Sequence, residues 1–155
     1  MPFSRFRALF PEGEYVFSGA TTGGQVLRST DPLTAELPCP VAVASPSEDE
    51  PVAADEVVVR WRPAPGVYDP DTERCDPRRD VGLVGYQVII VLENEDADLH
   101  RELLVDVAPD VTALPVPREF VEAGARRDGT EFTLEVLAIE DSGNKTITEQ
   151  GFEVE

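Results

Sequence analysis

Residues 55–65 read DEVVVRWRPAP and constrain the fold more than any other stretch. Three consecutive valines lead into Trp61 along one run, and Pro63 stops it. β-Branched side chains lose rotamer freedom in a helix but fit the pleated surface of a sheet, so the run predicts a strand over about 55–62. With a period of two, Val57, Val59 and Trp61 fall on one face. An aromatic of that size on an apolar face marks an inner strand of a β-sandwich, with Trp61 as a core anchor.

The chain beyond it keeps the same rhythm of short extended runs separated by turn chemistry. Runs at about 41–45, 84–93, 101–107, 111–116, 130–140 and 144–154 bring the expected number of strands to seven. Tyr86, Val88, Ile90 and Leu92 share one face of the 84–93 run, and Phe132, Leu134, Val136 and Ala138 share one face of the 130–140 run. One apolar face per strand is what an antiparallel sheet needs when its other side is wet. Ile89, Val91, Leu137 and Ile139 lie on the opposite faces, which implies that part of the outer side is covered as well. Arg118, Phe120, Val121 and Gly124 read as a short turn capping the sandwich.

Residues 1–40 have a different character. Tyr15 and Phe17 alternate with Glu14, Val16 and Ser18, then Thr-Thr-Gly-Gly supplies a turn, and 25–30 resumes an extended pattern. This is a β-hairpin whose glycines tolerate positive φ. Two strands alone are marginal in water, so the hairpin is expected to pack on the sandwich, covering its outer face, or on a second copy of the chain. Phe3, Phe6, Leu9 and Phe10 form an apolar strip, in a short helix or irregular arm, that would help it dock. The prolines of 37–40, LPCP, stiffen the chain and separate an N-terminal arm and hairpin (1–40) from the sandwich (41–155). Charge changes near the same point. The whole chain carries −18, from 13 basic and 31 acidic residues; residues 1–44 hold three basic and four acidic side chains, net −1, leaving −17 for the remainder.

That balance argues against a nucleic-acid or anionic-membrane partner, both of which need a basic face. No run reaches the roughly 18–20 apolar residues that span a bilayer, so membrane insertion is not expected. The first ten residues, MPFSRFRALF, lack the apolar stretch of a secretory signal.

Several motifs together resemble a fibronectin type III domain. They are Trp61 followed by Pro63, Gly85-Tyr86-Gln87-Val88, Leu114-x-Val116-Pro117, and 130–138 (TEFTLEVLA) before Ser142-Gly143-Asn144. The ending from Asp141 to Glu149 is most similar to bacterial fibronectin type III-like proteins. The resemblance implies an all-β, seven-stranded antiparallel immunoglobulin-like sandwich, here with an N-terminal hairpin. This sequence departs from the pattern at Phe132, which stands where the family usually has a corner tyrosine. Without that hydroxyl, packing is expected to hold the corner unaided. The connection 66–84 is also far longer than the usual loop of about 4–6 residues.

In a sandwich of this family the entry of the first strand and the 66–84 loop lie at the same pole. The resemblance therefore implies a Cys39–Cys75 disulfide, with two free buried thiols as the alternative. A bridge would favour an extracellular or periplasmic location. The loop also carries Asp69, Asp71, Glu73, Asp76 and Asp80, oxygen donors of the kind calcium uses. Three arginines, Arg74, Arg78 and Arg79, lie among these five carboxylates and leave a net −2. Carboxylate–arginine pairing inside the loop is the expectation, with Asp69, Asp71, Glu73 and Asp76 as candidate metal ligands.

No catalytic constellation stands out. His100, the single histidine, sits in a charged turn without the partners that a nucleophile–base system needs. Asn144 is read as part of the last turn. The sequence predicts a non-catalytic protein without a cofactor, acting in protein–protein or surface contacts. Its partner is another protein or a second copy met through the hairpin. The alternative is a calcium- or carbohydrate-binding module seated on 66–84.

Overall fold

The computed structural model describes residues 1–63 and 65–155. Among the described residues eleven strands and two helices follow one another as α1 (Phe3–Leu9), β1 (Gly13–Ala20), β2 (Val26–Leu33), β3 (Ala42–Ser45), β4 (Val58–Arg62), β5 (Val67–Asp69), β6 (Arg74–Asp76), β7 (Leu83–Asn94), β8 (Leu99–Val107), β9 (Ala113–Pro115), α2 (Arg118–Ala125), β10 (Glu131–Glu140) and β11 (Lys145–Phe152). Seven of these strands form two antiparallel sheets, ordered β3-β4-β9 and β11-β10-β7-β8. The other four make two separate hairpins, β1-β2 and β5-β6.

The two sheets share one core because each turns its apolar face inward. Val57, Val59 and Trp61 come from one sheet; Tyr86, Val88, Ile90, Leu92, Leu134 and Val136 come from the other, and all are buried. β7 and β10 run side by side with Val88 opposite Val136 and Leu92 opposite Phe132, so the inward residues of neighbouring strands stack in rows. Across the sandwich, Trp61 meets Tyr86 edge to face, with ring centroids 5.4 Å apart. The 55–62 strand is shorter than expected: the ladder begins at Val58, and Val57 enters the core from just outside it, its carbonyl accepting the Val116 N–H at 3.0 Å.

Residues 118–124 form a helix and not a turn. α2 presents Val121, fully buried, and Gly124 to the core, while Arg118 and Arg126 pair with Glu122 on its outer side. Apolar residues spaced three apart suit a helix face, and the preceding Pro117 is compatible with a helix start. The corner below α2 is not held by packing alone. The Thr130 hydroxyl lies 3.0 Å from the Gly124 carbonyl and 2.9 Å from that of Arg127. It also accepts from the buried Asn94 amide at 3.1 Å. A threonine two residues earlier thus supplies the hydroxyl that Phe132 lacks, and Phe132 packs on Phe152.

The hairpin β1-β2 does not cover the outer face of the four-stranded sheet. Its strand residues are all exposed except the half-buried Tyr15 and Leu33. Outside the sheet, Leu104 and Ile147 stay exposed, while Ile89, Val91 and Ile139 are half-buried and Leu137 is buried among its neighbours.

Candidate interaction surface

The projecting hairpin is tied to the body at its base. The Ala35 N–H donates to Glu12 (3.0 Å) and the Tyr15 hydroxyl to the Pro11 carbonyl (2.9 Å). Beyond Leu33 the chain meets the turn between β10 and β11. The Asn144 side-chain amide donates to the carbonyls of Thr34 (3.2 Å) and Glu36 (3.0 Å). The buried Glu140 carboxylate accepts from the Thr34 hydroxyl at 3.2 Å, from the Ser142 N–H at 2.8 Å and the Asn144 N–H at 3.2 Å, and from the Ser142 hydroxyl. Burial pushes the Glu140 carboxyl up, but the bonds from Ser142 and Asn144, together with the neighbouring Asp141 carboxyl, outweigh it and hold the group below the usual glutamate value of 4.5. Asp141 is displaced the other way, above 3.8, first by its hydrogen bond with Glu140 and then by burial and the Glu140 charge.

From this knot the chain runs on along β11, whose side chains bind its backbone. Thr146 donates to the Pro38 carbonyl (2.6 Å), Thr148 to that of Val41 (2.8 Å) and Gln150 to that of Pro46 (2.6 Å). Residues two apart on a strand share a face, so Thr146, Thr148 and Gln150 act as three rungs on one side of β11. The LPCP segment is therefore built into the body: Pro38 and Cys39 are buried, Tyr68 N–H donates to Leu37 (2.8 Å) and Cys39 N–H to Gly66 (3.1 Å).

The 66–84 loop contains the hairpin β5-β6, and its carboxylates bind backbone N–H groups where arginine pairing was expected. Asp71 receives the N–H groups of Phe3 and Ser4, both at 2.7 Å, and so holds the start of α1. Asp69 accepts from the Thr72 hydroxyl and Asp71 N–H, in that order of effect, which lowers its pKa. Asp76 accepts from the Arg78 N–H at 3.1 Å, and Glu73 occupies the tip with φ 55°. Among the described residues no group of three metal-ligating side chains comes together. Arg79 reaches out of the loop to Glu36 at 2.9 Å, while Arg74 and Arg78 make no ion pair among the described residues. Cys39 and Cys75 are joined in a disulfide with their Cα atoms 5.8 Å apart, which pins β6 to the entry of the sandwich. At Gly66, φ is +99° and an added Cβ would lie 2.0 Å from the Asp76 carbonyl oxygen, so only glycine allows β5 and β6 to close here.

The exposed apolar surface is concentrated at the N-terminal end. Of ten large hydrophobics exposed among the described residues, seven fall within residues 1–27: Met1, Leu9, Phe10, Val16, Phe17, Val26 and Leu27. The apolar strip of α1 does not dock. Phe3 stacks on Phe6, which meets Phe10 at a tilt, and none of the helix is buried. The hairpin and the strip are visible in the sequence; the roles of Glu140, Asn144 and the β11 rungs are not. The alternation of Thr146, Thr148 and Gln150 on one side of a strand was the signal available for them.

No protein-family model and no curated protein matches the chain. Among solved structures it is similar to the third fibronectin III domain of the human protein KIAA0343. That likeness is at 16% identity and a TM-score of 0.42, over 76% of this chain and 79% of that one. No helix is long and apolar enough to cross a membrane among the described residues. His100 is exposed, with Glu93 3.8 Å away.

Proposed function

We propose that the chain is a sandwich of fibronectin type III kind that acts as a non-catalytic interaction module, making its contact through α1 and the hairpin β1-β2. The observation that carries this reading is the placement of seven of the ten large hydrophobics exposed among the described residues within residues 1–27, four of them (Val16, Phe17, Val26 and Leu27) on a two-stranded ribbon that buries neither face. Ribbons of two strands are marginal by themselves, and exposed apolar patches of this kind mark interaction sites. The three-on-four strand order and the Trp61–Tyr86 core support the family reading. The disulfide suits an oxidising compartment, extracellular or periplasmic.

A photo-crosslinking amino acid at position 17 of the full chain, compared with one at the exposed Val84 of the body, tests this in the native host. Crosslinks from position 17 to any protein, including a second copy, are expected, with few from 84. Crosslinks confined to 84 would overturn the reading.

A further inference from the structure

The two edges of the hairpin are not equivalent, and the difference selects a partner. The Thr21 N–H donates to the Gln25 carbonyl at 2.8 Å, closing the turn as a hydrogen-bonded pair in the same register as β1-β2. Antiparallel pairs alternate, so 19 with 27, 17 with 29 and 15 with 31 exchange the ladder bonds. The backbone groups of Glu14, Val16, Ser18 and Ala20 then point out of the β1 edge, and those of Val26, Arg28, Thr30 and Pro32 out of the β2 edge. Pro32 has no N–H to offer, and Arg28 puts a charge on the same edge; both are devices that block strand addition. The β1 edge has no proline, and no charge beyond its base. It offers four successive outward residues, of which only Glu14, at the base, is charged.

We infer that the β1 edge pairs with the β1 edge of a second copy of this chain, antiparallel and about a two-fold axis, to form a four-stranded sheet β2-β1-β1-β2. The inference rests on the interaction-module reading and names its partner. Charge leaves the hairpins as the place where two copies meet with least repulsion, and it decides for the antiparallel sense. Residues 1–44 carry net −1 while the remainder carries −17, so two copies approach at lowest electrostatic cost through their hairpins. A hairpin with that balance has no preference for a charged partner. Antiparallel pairing sets the base of one hairpin beside the tip of the other, which sends the two acidic bodies to opposite ends of the new sheet. An eight-residue strand is roughly 26 Å long. That exceeds the screening length of about 8 Å at physiological salt. Parallel pairing would bring the bodies side by side.

The register that uses all four outward residues sets Val16 opposite Ser18 of the partner subunit, and Phe17 opposite Phe17 of the partner subunit. Phe17 then lies in a non-hydrogen-bonded pair, where side chains come closest, and Leu27, on its own face of the ribbon, flanks it. Phe17, 59% exposed in the single chain, thereby gains an apolar neighbour.

Sedimentation velocity of the full chain over a wide concentration series tests the inference. The parent chain is expected to show a monomer–dimer equilibrium. Ser18→Pro removes an outward N–H without touching the internal ladder and is expected to raise the dimer dissociation constant at least about tenfold. Thr30→Pro, the same change on the β2 edge, is expected to leave it unaltered. Phe17→Glu, which sets two carboxylates opposite each other, is expected to give monomer and needs no proline in the strand. A parent chain monomeric throughout, open-ended growth instead of a closed dimer, or weakening by Thr30→Pro but not by Ser18→Pro would each overturn it. A monomeric chain that still crosslinks from position 17 to a different protein would remove the second copy as partner and leave the interaction-module reading standing.

Discussion

The Asn144 side-chain amide, in the last turn of the sandwich, donates to the carbonyl of Glu36, 108 residues earlier in the chain and 3.0 Å away. Together with Glu140 it fixes where the hairpin leaves the body. Asn144→Ala removes this bond and the one to Thr34, and each carbonyl loses a buried or half-buried partner. The expected cost is about 1–3 kcal/mol by denaturant unfolding. Residues 1–36 should become more sensitive to protease in the same variant, while β7 and β10 keep their hydrogen-exchange protection.

Acidification should act through Glu140 and Asp141 with opposite signs. Glu140 is held below 4.5 in the folded state, so the stability it confers is present above 4.5 and is lost as pH falls through its folded value. Asp141 is raised above 3.8, so its neutral form is favoured by folding, and stability falls as pH rises through its folded value. Glu140→Gln removes the first effect and relaxes the second, since the carboxylate facing Asp141 is gone. In an Asp141→Asn background, where the second effect is absent, Glu140→Gln should lower stability at pH 7 but should lessen the loss as pH falls below 4.5, as read from denaturant midpoints across that range. An unchanged slope would remove Glu140 as the titrating anchor.

The disulfide closes a loop across a sequence separation of 36 residues. Loop entropy for that length gives about 3–4 kcal/mol of stabilisation. The double variant Cys39→Ser, Cys75→Ser should melt well below the parent. Reduction of the parent should reproduce the loss, and the β5-β6 hairpin should lose exchange protection first.

Tyr86 and Trp61 meet at the centre of the core, yet among the described residues neither the Tyr86 hydroxyl nor the Trp61 ring N–H has a hydrogen-bond partner. Burial raises the Tyr86 pKa for the same reason: the charged form has nothing to replace water. Tyr86→Phe deletes an unpaired buried polar atom and keeps the ring, so it should be neutral or stabilising by up to about 1 kcal/mol. Trp61→Ala leaves a cavity and should cost about 3–5 kcal/mol. A loss above 1 kcal/mol for Tyr86→Phe, measured by urea unfolding, would reveal a partner for the hydroxyl.

Gly124 lies inside α2, where alanine would ordinarily gain up to about 1 kcal/mol of helix propensity. Here an added Cβ would sit 2.9 Å from Phe132 Cζ and 3.0 Å from Thr130 Cγ2. Overpacking of a filled core costs about 1–3 kcal/mol, so Gly124→Ala should destabilise despite the better helix former. A gain in melting temperature would mean that Phe132 moves aside freely.

Residues 58–62, 83–94 and 131–140 were legible because their apolar side chains recur every second position. That period needs no knowledge of neighbours. The β1-β2 hairpin was legible for the same reason, with Thr-Thr-Gly-Gly marking its turn. α2 was not, because Arg118-Glu119-Phe120-Val121 follows two prolines closely, and Val121 shows its importance only once Phe132 and Gly124 are beside it. The loop carboxylates were misread because composition reveals charge but not aim: Asp71 points at the N–H groups of Phe3 and Ser4, 67 and 68 residues away.

The sequence by itself determined the strands, their inward faces and the uneven charge, because these follow from local side-chain chemistry and a period of two. Only the tertiary structure decided that the hairpin stands away from the sandwich with its β1 edge open. It alone tied the hairpin's base to Glu140 and Asn144 and its leading helix to Asp71. Those contacts join residues about a hundred or more positions apart, or nearly seventy in the case of Asp71, and no local pattern carries that pairing.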